Sequence, residues 1–252
     1  MRRAILLVTM MAVSLVVASG VALAVTKIGT DGPDILQGTN KADNLSGKGG
    51  NDGLFGKGGS DNLLGQEGKD WVLGGNERGL QGGDKNLVGG PGNDGVVGGK
   101  GSDNLGGGSG NDYLFGFTGS DTLVGGEGRE EIDGWTGSDR MLGGGGGDQI
   151  VDGEIDESSR DDVLSGGGGN DILIADHVPA VKDIVSCGSG FDRVLADRKD
   201  VVADDCEKVL VVRGSEEEVL EQEEAFFESL PPAYGEFFDT FVPEQLAPFP
   251  NV

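Results

Sequence analysis

Aspartate recurs in steps of nine. Asp34, Asp43, Asp52, Asp61 and Asp70 hold the sixth place of the frame G-G-x-G-x-D-x-U-x, where U is a large apolar residue. The stretch "GKGGNDGLFGKGGSDNLLGQEGKDWVL", residues 47–73, repeats it three times. The frame lapses over residues 74–88, where "GGNERGLQ" and "GGDKNLV" carry no aspartate at the expected place. It returns at Asp94, Asp103, Asp112 and Asp121, passes through Glu130, and continues with Asp139 and Asp148. An expanded unit, "DGEIDESSRDDVLS", leads to Asp162 and then Asp171, and traces persist at Asp183 and Asp192. Carboxylates repeated so regularly among glycines suit a hard cation. Calcium takes about six to eight oxygens at ~2.3–2.6 Å and accepts mixed carboxylates and carbonyls, whereas magnesium's strict octahedron fits such a site poorly.

The acids must be positioned by a turn followed by a short strand. The eighth place is Leu36, Leu45, Leu54, Leu63 and Val72, then Val96, Leu105, Leu114, Leu123, Ile132, Met141 and Ile150. A single unit cannot bury that side chain alone, but stacked units build a continuous inner column from it. The pattern predicts a solenoid in which a triplet such as "NLL" or "YLF" is strand and the six residues before it are turn. Reversal within a turn that short needs positive φ, which glycine adopts without a Cβ clash, and its bare backbone leaves carbonyls open to a ligand. Lys41 occupies a fourth-place glycine position, so the turn ending at Asp43 is expected to bind weakly. Lys48, Lys57 and Lys69 read as solvated turn residues, since an ammonium cannot coordinate a metal.

Arg2 and Arg3 precede an apolar run from Ala4 to Val17 that closes with Ala22-Leu23-Ala24. That is the form of a secretory signal, with cleavage expected after Ala24 and export to the extracellular space. Cleavage removes two arginines and takes the net charge from −25 to −27. A chain this acidic repels nucleic-acid phosphate and collects cations instead. No later segment is apolar enough to cross a membrane. The 50 glycines in 252 residues would suggest disorder or a fibrous material if they lacked a period, and they have one.

The repeats resemble the haemolysin-type calcium-binding repeats, the RTX nonapeptide family, over about residues 29–195. The resemblance implies an all-β fold, a parallel β-roll whose successive units form opposite half-turns. It also implies Ca2+ held between turns on the same side, two units or 18 residues apart. Implied ligands are Asp34, Asp43, Asp52, Asp61, Asp70, Asp94, Asp103, Asp112, Asp121, Asp139, Asp148, Asp162 and Asp171. Asp52 and Asp70 then share one edge, while Asp61 pairs back to Asp43 on the other. The pairs Asp34/Asp52, Asp52/Asp70, Asp43/Asp61, Asp94/Asp112, Asp103/Asp121 and Asp121/Asp139 make six, and Glu130 could extend the series toward Asp112 and Asp148. Six calcium ions would offset 12 of the 27 negative charges. Without metal, like charges along each edge oppose stacking, so folding is expected to be coupled to calcium. Type I secreted members usually lack a cleavable signal and carry a large functional domain ahead of the repeats. This chain departs on both counts, which leaves toxin, protease or lipase activity without support.

The sequence divides into a signal (1–24), repeats (25–174, irregular at 74–88 and 152–161), terminal repeats with a cap (175–212) and an acidic tail (213–252). In the cap, Cys187 and Cys206 are an even pair in an exported chain and are expected to form a disulfide, worth on the order of 3 kcal/mol for a loop of about 20 residues. Zinc is the rival, without nearby histidine partners. The tail, "EEEVLEQEEAFFESLPPAYGEFFDTF", reads as a solvated, disordered segment with a short transient helix before Pro231 and Pro232. Its rival role is docking through Phe226, Phe227, Phe237 and Phe238.

The lone histidine, His177, stands beside Asp176 without a nucleophile motif. No G-x-S-x-G or H-E-x-x-H occurs, the acid spacing is not that of an EF-hand, and "GPGNDG" at 90–95 is a by-product of glycine density inside a turn. The sequence therefore points to a secreted, non-enzymatic calcium-binding structural or interaction module, with an extracellular protein or cell surface as its open partner. The alternatives are a toxin- or hydrolase-related protein supported by the roll, and a calcium-independent glycine-rich matrix protein.

Overall fold

A computed structural model of the chain describes residues 23–75, 83–84, 86–152, 161–175, 180–213 and 216–230. Its strands are β1 (Thr26–Ile28), β2 (Ile35–Gln37), β3 (Asn44–Gly49), β4 (Gly53–Lys57), β5 (Asn62–Glu67), β6 (Trp71–Gly75) and β7 (Asn86–Pro91). Next come β8 (Gly95–Lys100), β9 (Asn104–Ser109), β10 (Tyr113–Gly119), β11 (Thr122–Gly128), β12 (Glu131–Asp133), β13 (Thr136–Gly137) and β14 (Arg140–Gly146). The last are β15 (Gln149–Val151), β16 (Val163–Gly168), β17 (Ile172–Ala175), β18 (Ile184–Ser189), β19 (Arg193–Ala196), β20 (Val201–Val202) and β21 (Lys208–Val211), before helix α1 (Glu216–Glu228).

Alternate strands belong to opposite sheets, as a roll of half-turns requires. One sheet has the order β1-β3-β5-β7-β9-β11-β14-β16-β18-β20, and the other β2-β4-β6-β8-β10-β12-β15-β17-β19-β21, with β13 pairing β10 beside that path. All pairings along them are parallel. The strands extend past the expected triplet because ladder hydrogen bonding continues into the turn, as in Asn62–Glu67. The eighth-place residues face inward as predicted. From Leu45 to Val194 they form one buried column, with Leu36 half-buried at its start. Burying each contributes about 1.5–3 kcal/mol.

From the turn ending at Asp52 onward the regular turns contain two positive-φ positions, and they differ in kind. At the second place φ reaches 84° for Lys48 and 69° for Trp135, the left-handed helical region that L-residues can enter. At the fourth place Gly92 has φ 153° and Gly110 has φ 126°, conformations suited to glycine alone.

The lapse of the frame over residues 74–88 does not divide the roll, because strands pair across it. Asn62 pairs Asn86 and Leu63 pairs Leu87, while Val72 pairs Val96 on the other sheet. One roll passes through, because the ladder and the inward leucine fix the register whatever the loop length. Residues 76–82 and 85 lie outside the described residues.

At the start of the tail the helix before Pro231 forms, and there the docking alternative through Phe226 and Phe227 prevails over solvation. Helix α1 lies on the outer face of the second sheet, where Phe226, only 7% exposed, packs with Ile172, Ile174, Leu195 and Val212. Those sheet residues are apolar on the outward side too, so the face demands a cover. Among the described residues no helix is long and apolar enough to cross a membrane. The expected signal, apart from Leu23 and Ala24, and His177 and residues 231–252 lie outside the described residues.

Candidate metal centre

The end of each turn sets one carboxylate. The backbone N–H of the acid on one rung donates to Oδ1 of the acid on the next rung of the same edge. One edge runs Asp34 to Asp52, Asp52 to Asp70, Asp70 to Asp94 and Asp94 to Asp112, at 2.7–2.8 Å. It continues from Glu130 to Asp148, Asp171 and Asp192, ending on Glu207. The other edge runs Asp43, Asp61, Asp84, Asp103, Asp121, Asp139, Asp162, Asp183 and Asp200. Asp52 and Asp70 do share an edge, with Asp61 on the opposite one.

The second oxygen has a different environment. A Cβ built on Gly47 would lie 2.1 Å from Oδ2 of Asp52 and 2.7 Å from the carbonyl oxygen of Gly65 on the next rung. The same arrangement surrounds Asp61 at Gly56 and Asp70 at Gly65. First-place glycine therefore makes room for a carboxylate oxygen and a carbonyl oxygen to approach each other. Both are acceptors, and neither can satisfy the other. For Asp52, Asp61, Asp70, Asp94, Asp103, Asp112, Asp121, Asp139 and Asp171 the buried Oδ2 has no hydrogen-bond partner among the described residues. A buried acceptor left so costs about 1–3 kcal/mol.

Burial dominates the electrostatics. It pushes Asp61 and Asp112 up to about 6, Asp84, Asp94, Asp139 and Asp171 to about 7, and Asp121 to about 8. The ladder N–H pulls each back down, and for Asp121 the neighbouring Asp139 and Asp103 push up again. Burial also raises Asp52, Asp70 and Asp103. A stack of buried acids keeps its charge at neutral pH only when a cation shares it. Carboxylate and carbonyl oxygens in flexible turns are the donor set that calcium accepts, so the residues present fit that ion.

All thirteen predicted acids sit on the two edges, though not equivalently. Asp34 and Asp43 differ from the rest: Thr30 donates its N–H to Oδ2 of Asp34 at 2.6 Å, and Thr39 does so to Asp43 at 2.5 Å. Their second oxygens already have partners. Within 74–88 no aspartate holds the expected place, yet Asp84 joins the edge: it accepts from Asp61 at 2.7 Å and donates to Asp103. It reaches the edge one residue early in the frame, so only the extra residue before Asn86 could have revealed it. Asp183, Asp192 and Asp200 continue the edges beyond the predicted set.

Asp152 was also missed. It stands in the first place, where the other turns carry glycine, and its carboxylate, 2% exposed, enters the edge. Oxygens of Asp152, Asp162 and Asp183 lie within 4.8 Å of one another. Burial, with Asp162 next, pushes Asp152 far above the usual carboxylate range. The cysteine pair is a disulfide, Cys187–Cys206, with Cα atoms 5.1 Å apart, and is not a zinc site.

A comparison with curated proteins finds none that matches the chain. The family model for the RTX calcium-binding nonapeptide repeat (4 copies) matches residues 28–63, 49–78, 81–114, 115–150 and 158–176. RTX nonapeptide repeats bind Ca2+. Those matches span more than half of the sequence and coincide with the two acid-lined edges of the roll, and the chain belongs to the RTX calcium-binding nonapeptide repeat family.

Proposed function

We propose that this chain is an exported, non-enzymatic structural or interaction module whose roll folds when Ca2+ binds along its two edges. The ligands are the sixth-place acids from Asp52 onward, together with Asp84, each acting with carbonyl oxygens of the facing turns. The observation that carries the proposal is the row of buried, acceptor-only oxygens, repeated on both edges and unsatisfied by any donor among the described residues. A divalent ion removes the acceptor conflict and the like-charge repulsion together, which makes binding energy into folding energy. Asp34 and Asp43 bind more weakly, because threonine backbone donors occupy their second oxygens.

A calcium titration followed by heat and by circular dichroism tests this. The expected result is several ions bound per chain, with β signal gained in step. A chain with the same β signal in calcium and in chelator overturns coupled folding.

Export is supported at the first rung. Val25, the expected first residue after cleavage, donates its backbone nitrogen to Oδ1 of Asp43 at 2.5 Å, where later rungs use an aspartate N–H. Cleavage after the exposed Ala24 turns that nitrogen into an ammonium facing a carboxylate, and takes from the roll the Leu23 carbonyl to which Thr39 Oγ1 donates at 3.3 Å. N-terminal sequencing of protein recovered from the medium should begin at Val25; retention of Ala24 and the residues before it overturns this part.

A further inference from the structure

The outer face of the second sheet is divided along its length. At its C-terminal end Phe226 of α1 packs with Ile172, Ile174 and Leu195, and the apolar cluster they form extends to Val151 on β15. Beyond β12 the same face continues as an apolar and aromatic strip. Phe55, Leu73, Val97 and Phe115 stand in register on β4, β6, β8 and β10. Beside them run Trp71, whose ring lies over Gly95, and Tyr113, which is 39% exposed. Phe117 and Trp135 close the near end, with ring centroids 5.0 Å apart. On β4, β6, β8 and β10 the columns of Phe55 and Trp71 carry no charge, and they are bounded by Lys57 in the register of Phe117 and by Glu131 and Asp133 on β12, in register with Tyr113 and Phe115. A contiguous aromatic strip on so acidic a protein marks an interaction surface.

We propose that this strip is the docking site of the chain's own C-terminal segment, residues 231–252. Continuity supports it: Phe226, Phe227 and Leu230 belong to the apolar cluster on this face, so the chain leaves α1 on the same side of the sheet as the strip. Composition supports it too. The segment carries Tyr234, Phe237, Phe238, Phe241 and Phe249, aromatic side chains that match those of the strip. Reach is ample, because 22 residues extend up to about 70 Å, while six strand spacings from β17 to β4 span about 29 Å. Between the two covered zones lies Gln149, 1% exposed, whose amide has no hydrogen-bond partner among the described residues. A passing backbone supplies one.

Both tryptophans of the chain, Trp71 and Trp135, lie on this face and report on it directly. The test compares the full chain in calcium with its Phe237→Ser, Phe238→Ser, Phe241→Ser variant. The expected result is red-shifted tryptophan emission and a several-fold rise in acrylamide quenching in the variant, with unchanged calcium-dependent circular dichroism. As a second measurement, a nitroxide attached at Phe241→Cys in the otherwise unaltered chain should quench tryptophan emission. Unchanged emission and quenching in both experiments overturn the proposal. So does a full-length chain that sediments as a dimer and exposes its tryptophans only on dissociation, because a second copy is then the occupant.

Discussion

The backbone N–H of Asp52 donates to Oδ1 of Asp70, one full turn further on, at 2.8 Å. One carboxylate oxygen thus belongs to the ladder, while the other lies against glycine and a carbonyl, facing where metal would sit. This division of labour within a single side chain links stacking to cation binding, and it makes both edges sensitive to charge.

Asp70→Asn separates the two roles. The amide oxygen can still accept from Asp52, but the amide nitrogen replaces the metal-facing oxygen. In calcium the variant should lose about 1–3 kcal/mol of stability, whereas in chelator the loss shrinks or reverses because a buried charge is gone. Equal losses in both conditions would show that Asp70 acts through the ladder alone.

Metal-free stability should fall as pH rises. Buried aspartates on the edges have folded-state values above their ordinary 3.8: about 6 at Asp61, about 7 at Asp94 and about 8 at Asp121. The folded roll therefore holds more protons than the unfolded chain across that window. Its stabilisation is complete below the ordinary value and lost as pH climbs through the folded values. In saturating calcium the trend reverses, since ligands must be deprotonated to bind. Thermal melts at acid and at mildly alkaline pH, with and without chelator, check both signs; parallel curves would refute the linkage.

The two glycine places should respond differently to a side chain. Gly110→Ala puts a Cβ 1.5 Å from the carbonyl of Gly92 at φ 126°, and should cost about 3 kcal/mol or more. Lys48→Gly, at a place where φ is 84°, should change stability by no more than about 1 kcal/mol. Chemical denaturation in calcium measures the contrast, and similar effects at both would remove the distinction.

Cys187→Ser should destabilise the terminal rungs. The bridge to Cys206 closes a separation of 19 residues and ties β18 to the segment before β21, a constraint worth about 3 kcal/mol on the unfolded chain. A lower melting temperature, matched by the reduced wild-type chain, is expected; an unchanged one would mean that β18, β19 and the final rungs hold without it.

Much of this architecture is legible in the sequence because a roll is nearly one-dimensional, each unit touching only its neighbours. The nine-residue step specified the inward column from Leu45 to Ile150, the alternation that puts Asp52 and Asp61 on opposite edges, and the acids that line those edges. The cysteine count specified the disulfide. What failed was whatever needed register across an irregular loop. Asp61 reaches Asp84 over 23 residues and Asp70 reaches Asp94 over 24, although 18 is the regular step. The rung below decides that alignment, through ladder hydrogen bonds and the pairing of Leu63 with Leu87, while surplus residues are left out of the ladder. Asp84 thereby joins an edge that its place in the frame would have denied it, and Asp152 enters one from a glycine position. Helix α1 illustrates the same limit, because its acidic residues announce solvent. Only the stacked sheet, with Ile172, Ile174 and Leu195 side by side, creates the apolar surface that holds Phe226.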